Sequence, residues 1–144
     1  MRVEKLRQAY DVDIQTVHFP LHPDTPLDGQ SLEQLFAGRD VDLDAMYEGM
    51  KARMDEEGLP YGKRTHTYNS RLAQELAKWA EIQPGGGAIH DALFRAYFVD
   101  GINLARIDQL AQIAGAVGLS EEEAREVLEN RSFAASVDGD WRRA

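Results

Sequence analysis

Cysteine is absent from this chain of 144 residues. That removes disulfides, thiolate metal ligands and any thiol nucleophile of its own. Long apolar runs are also missing. No stretch approaches the roughly 20 residues a membrane helix needs, and the opening MRVEKLRQAY lacks the apolar centre of a signal peptide. Positive charge is in deficit, with 16 Lys and Arg against 25 Asp and Glu and a formal net charge of -9. A surface of that sign opposes non-specific nucleic-acid binding and anionic membranes, and no basic cluster interleaved with aromatics offsets it. The expected protein is soluble and cytoplasmic, with no nucleic-acid or membrane partner.

What is present suits one folded domain: hydrophobic residues make up 43% and charged residues 28%. Val3, Leu6 and Tyr10 recur at helical spacing, which predicts the back half of a helix. VDIQTVHFP, residues 12–20, then alternates apolar and polar side chains and predicts a β-strand. Pro20, Pro23 and Pro26 end it in an extended loop. Helices follow. Ser31 and Gln34 form a capping box, Asp42 caps a helix with a Leu43, Met46, Tyr47, Met50, Met54 stripe, and Asn69 caps one with Leu72, Ala73, Leu76, Trp79 and Ala80 inside. The methionine stripe reads as a core seam. Pro84 to Gly87 reads as the most flexible point, a linker. Further helices carry Ile89 to Phe98, Leu104 to Val117 after a cap at Asn103, Ala124 to Leu128 after a box of Ser120 and Glu123, and finally Phe133, Val137 and Trp141. The fold class expected is mainly α, with about seven or eight helices and one strand.

Few residues carry chemistry. His18 and His22 are four apart, but Pro20 between them denies helical ligand geometry, and no acidic partner recurs at motif spacing, so no metal site is expected. His90 reads as solvent-facing. No serine sits in G-x-S-x-G, and the glycine run is not followed by Lys-Ser/Thr, so neither a serine nucleophile nor a phosphate loop is supported. Residue chemistry alone indicates no catalytic group and no cofactor.

Three stretches carry a resemblance: VHFPLHPDTPLDG, TYNSRLAQELAKWAE and ALFRAYFVDGINLARIDQLAQIAGAVGLSEEEAREVL. In this order they resemble the DsbA-like branch of the thioredoxin superfamily, in particular its FrnE-type members. The resemblance implies a helical insertion domain plus an incomplete thioredoxin-like α/β part. Residues 1–19 would be a remnant of the thioredoxin-like part, 20–119 the helical insertion, and 120–144 helices returning to that part, cut before its cis-proline loop. The Cys-Pro-x-Cys motif of the family would lie before this sequence, and the partners of the strand would lie beyond its two ends.

The resemblance further implies a thiol–disulfide oxidoreductase acting on a protein disulfide or small thiol substrate, with this chain not catalytic by itself. Two alternatives stay open: a glutathione-dependent enzyme of the 2-hydroxychromene-2-carboxylate isomerase type, and a redox-dead helical binding module. His18, Phe19, His22 and Asn69 are the positions expected to face substrate. A strand without cover should expose Val12, Ile14, Val17, Phe133 and Trp141, so the chain is expected either to pair with a second copy or to fold poorly.

Overall fold

The computed structural model describes the backbone of residues 2–144 and the side chains from Lys5 onward. Along it run α1 (Arg2–Ala9), β1 (Gln30–Ser31), α2 (Leu32–Leu35), α3 (Leu43–Glu56), β2 (His66–Thr67), α4 (Arg71–Glu81), a 3-10 turn (Gly86–Ala88), α5 (Ile89–Phe98), α6 (Ile107–Ala116), α7 (Glu121–Glu129) and α8 (Ala134–Arg143). The chain is mainly helical, as its periodicities predict. Val3, an apolar position of the predicted first helix, lies outside the described side chains.

Helix α4 becomes the hub because small and large apolar residues alternate around most of its circumference. Ala73, Leu76, Ala77, Trp79 and Ala80 are all buried. The alanines let α5, α6, α7 and α8 approach closely, and each of them packs on α4. Leu76, Ile89, Leu110, Leu128 and Val137 are fully buried between these helices. Each such side chain contributes about 1.5–3 kcal/mol relative to exposure.

Local signals set the helix ends. Ser31 accepts from the Gln34 amide at 3.0 Å while the Gln34 carboxamide accepts from the Ser31 amide at 3.1 Å, completing the box. Asp42 accepts from two first-turn amides of α3. Ser120 accepts from Glu123 N–H at 3.2 Å. Gly118, at φ 86°, ends α6 and lets Leu119 N–H reach back to the Ala114 carbonyl at 3.0 Å.

Several expectations need correction. Residues 12–20 join no ladder; the described sheet is instead β1 against β2, antiparallel, with Gln30 opposite Thr67 and Ser31 opposite His66. Alternating valine and isoleucine favour an extended backbone, but a strand also needs a neighbour, and none of the described residues supplies one. Val12, Ile14 and Val17 are exposed as expected. Phe133 and Trp141 are not: Phe133 packs against the core, and Trp141 is half-buried.

The methionine stripe is no core seam. Nothing in α3 is buried, and Met46 and Met50 are exposed at 45% and 39%. Periodicity marks a face, yet only a covering element makes it a core. The glycine run is no flexible linker either, since Gly86 is buried and its N–H donates to the Gln83 carbonyl at 3.0 Å. Asn103 does not cap a long helix. Its Oδ1 accepts from Ala105 N–H at 2.9 Å in a separate turn, and α6 starts only at Ile107.

Candidate functional site

Polar residues gather where the end of the 12–20 segment meets α4 and α8. Gln74, a turn into α4, is nearly buried because neighbouring segments close over that face. Its Nε2 donates to the Phe19 carbonyl and to Ser70 Oγ, both at 3.1 Å, and its Oε1 accepts from the Trp141 indole N–H at 2.6 Å. That carboxamide thus ties α4 both to the 12–20 segment and to α8. One turn on, Lys78 Nζ lies 2.7 Å from Asp140 Oδ2, which also accepts from the His18 backbone N–H at 3.0 Å. Burial pushes the Asp140 carboxyl up, but the hydrogen bonds from Lys78 and the His18 amide outweigh it and hold the group below its ordinary range.

His18 itself is half-buried, with its ring stacked on that of His90 at 6.4 Å. Burial, then the nearby Lys78 charge, lowers its pKa and so favours the neutral imidazole. His90 is not simply solvent-facing: its Nε2 lies 3.1 Å from Glu81 Oε1.

The other sequence-derived positions fall around this junction. Phe19 is exposed at 56%, with its carbonyl held by Gln74. His22 is exposed, adopts φ 52° and offers its carbonyl to Thr25. Asn69 works as a staple. Its Nδ2 donates to the Pro23 and Thr25 carbonyls at 3.0 and 2.9 Å while its Oδ1 accepts from Arg71 N–H at 2.9 Å. Asn103 does the same further along, donating to the Leu27 carbonyl at 2.8 Å, and Arg106 pairs with Asp28. The proline-rich loop of residues 20–29 is therefore fastened to the bundle at several points. The segment thus runs along α4, with His18 beside Lys78, the Phe19 carbonyl at Gln74, and the loop after His22 held by Asn69 at the start of the helix.

Sequence reasoning missed the charged knot beside this junction. Glu75 has no exposed surface. It accepts from Arg71 Nε at 2.7 Å and, through both oxygens, from Arg131 Nε and Nη2 at 2.8 and 2.6 Å. The Arg71–Glu75 half of the knot was legible as a pair four residues apart on a helix. Arg131, 56 residues away, was not.

An open groove of about 680 Å³ runs along α3, floored by Val41, Met46, Tyr47, Met50 and Tyr61. At its far wall Arg64 lies over Tyr97, 4.7 Å from the ring centre, and donates to the Tyr97 hydroxyl at 2.6 Å. Among the described residues, no three His, Cys, Asp or Glu side chains stand close enough to hold a metal ion, and no helix is long and apolar enough to cross a membrane. The arrangement offers contact surface and positioned polar groups, without a thiol.

In comparisons with known proteins, no curated protein matches this chain. A family model does match, that of the DSBA-like thioredoxin domain, over residues 1–144. With that match spanning its whole length, the chain belongs to the DSBA-like thioredoxin domain family.

Proposed function

We propose that these residues form the helical, substrate-facing part of a FrnE-type DsbA-like thiol–disulfide oxidoreductase, whose redox cysteines come from sequence outside residues 1–144. The observation that carries the reading is the 12–17 segment. It exposes Val12, Ile14 and Val17 and has no backbone partner among the described residues, in a chain that matches a thioredoxin-family domain yet contains no cysteine. Such a segment is what a sheet would cover. In the complete site, a thiolate of the redox motif attacks one sulfur of a substrate disulfide and releases the other as thiolate. Phe19 and His22, both exposed, would then contact the substrate.

The test is to express the reading frame extended in both directions beside residues 1–144, and to follow reduction of insulin disulfides. The expected result is a Cys-x-x-Cys motif upstream, activity in the extended protein and none in the present chain. An extended frame without such a motif, or an inactive extended protein, overturns the reading. A serine at the first position with glutathione-dependent isomerisation would favour the isomerase alternative.

The same exposed segment leads to a proposed partner for the isolated chain, a second copy paired through residues 12–17. Light scattering should report a dimer, and charge placed at Ile14 (Ile14→Lys) should return it to a monomer. A monomeric parent chain would end this proposal.

A further inference from the structure

Among the described residues, the 11–21 segment is held to the bundle by only two hydrogen bonds, from His18 N–H to Asp140 and from Gln74 to the Phe19 carbonyl. The first lies in a tight cluster of charges. From α4, Lys78 reaches Asp140 at 2.7 Å and Glu81 at 3.9 Å. From α8, Asp140 also lies 3.7 Å from Arg143. From α5, His90 stacks on the His18 ring and pairs with Glu81. Within this cluster His18 Nε2 is buried and has no hydrogen-bond partner.

A neutral imidazole with its proton on Nδ1 tolerates that position, because the unprotonated Nε2 loses only an acceptor bond. A protonated one does not: Nε2–H would be a buried donor without an acceptor, in a ring that then carries positive charge beside the Lys78 ammonium. Asp140 gives limited relief, since its Oδ2 already accepts from both Lys78 and the His18 amide. Glu81 is shared between His90 and Lys78. Water outside offers the imidazolium what this pocket lacks.

We propose that His18, Lys78 and Asp140 form an acid-released latch: with His18 neutral the 11–21 segment is fastened to α4 and α8, and protonation of His18 frees it. The sign follows from linkage. The docked ring binds its proton less readily than a free one, so docking is at full strength above the ordinary imidazole value of 6.5. It weakens as pH falls below that value, towards tenfold for each unit by which the docked pKa lies lower. The latch stands independently of the oxidoreductase reading.

Amide exchange of residues 1–144 followed by NMR tests it directly, because the His18 N–H is itself the latch donor. From about pH 7.5 to about pH 5.5, corrected for intrinsic exchange, His18 protection should fall severalfold while the Leu76 and Leu110 amides hold. The His18 ring should titrate below 6.5. His18→Gln should remove the pH dependence and His90→Gln should keep it. A His18 ring titrating at or above 6.5, protection that does not change with pH, a parallel loss at the core amides, or a fall that survives in His18→Gln would each overturn the latch. Should His18→Gln fail to fold, the ring titration of the unmodified protein decides.

Discussion

Replacing Glu75 by glutamine lowers the unfolding free energy by about 2 kcal/mol, the cost of exchanging charge-assisted hydrogen bonds at an enclosed carboxylate for a mismatched carboxamide. Glu75 is fully enclosed, and its two oxygens take three charged N–H donors from Arg71 and Arg131 at 2.6–2.8 Å. Arg131 binds side-on through Nε and Nη2, a fork geometry that a carboxamide cannot match, since its NH2 would face a guanidinium. The consequences spread through Arg71, whose Nη2 also reaches the Ala134 carbonyl at 2.8 Å and Asp138 at 2.7 Å, with its guanidinium 4.6 Å from the Trp141 ring centre. One carboxylate thereby fixes α8 against α4. Urea unfolding should show a lower midpoint with little change in slope.

The variant should also differ in acid. Burial pushes the Glu75 carboxyl up, but hydrogen bonds from Arg131 and Arg71 outweigh it, so the pKa lies below the ordinary 4.5. A depressed carboxylate contributes stability above its unfolded-state pKa and loses it as pH falls through the folded value. Glu75→Gln should therefore unfold less steeply with acid below about pH 4.5. An unchanged acid profile, or a loss below about 1 kcal/mol, would show that the arginines simply turn to solvent.

Gly86→Ala should cost about 3 kcal/mol, or roughly 10 °C in Tm, where Gly87→Ala next to it costs nothing. A Cβ at Gly86 would meet the Ala80 carbonyl oxygen at 1.7 Å and its carbon at 2.6 Å. These are backbone atoms in the last turn of α4, so no side chain can step aside. The 3-10 turn must lift off α4, taking with it Ile89, which has no exposed surface. At Gly87 a Cβ meets nothing within 4 Å and φ lies outside the left-handed region, so alanine there should be neutral or slightly stabilising through its less flexible unfolded chain. Equal thermal shifts in the two variants would contradict the close approach of turn and helix.

That pair of glycines shows where sequence reading ends. Four residues of Pro and Gly signal a break between helices, and the break is real. Whether the break swings free or is clamped depends on Ala80, which residue identity near Gly86 does not reveal. The caps at Ser31, Asp42 and Ser120 were legible because donor and acceptor lie two or three residues apart. Asn69 and Asn103 were read as helix caps but were not legible as staples, since the carbonyls they hold are 44 to 76 residues away. His18 stood out as a candidate only through the family resemblance, and Lys78, Asp140 and Gln74 carried no signal in the sequence.

From its amino acids alone this protein was bound to be a mainly helical, cysteine-free, acidic chain with apolar stripes on its helices, one inner face on α4 among them. Those properties arise within a turn or two of backbone, where propensity, capping and periodicity act. Tertiary structure alone decided that β-prone residues 12–17 find no partner strand among the described residues, that the methionine face of α3 lines a groove, and that Glu75 and Gln74 are enclosed. Burial and pairing belong to contacts between distant segments, and the same side chain is a solvated charge or a buried clamp according to what the rest of the chain brings to it.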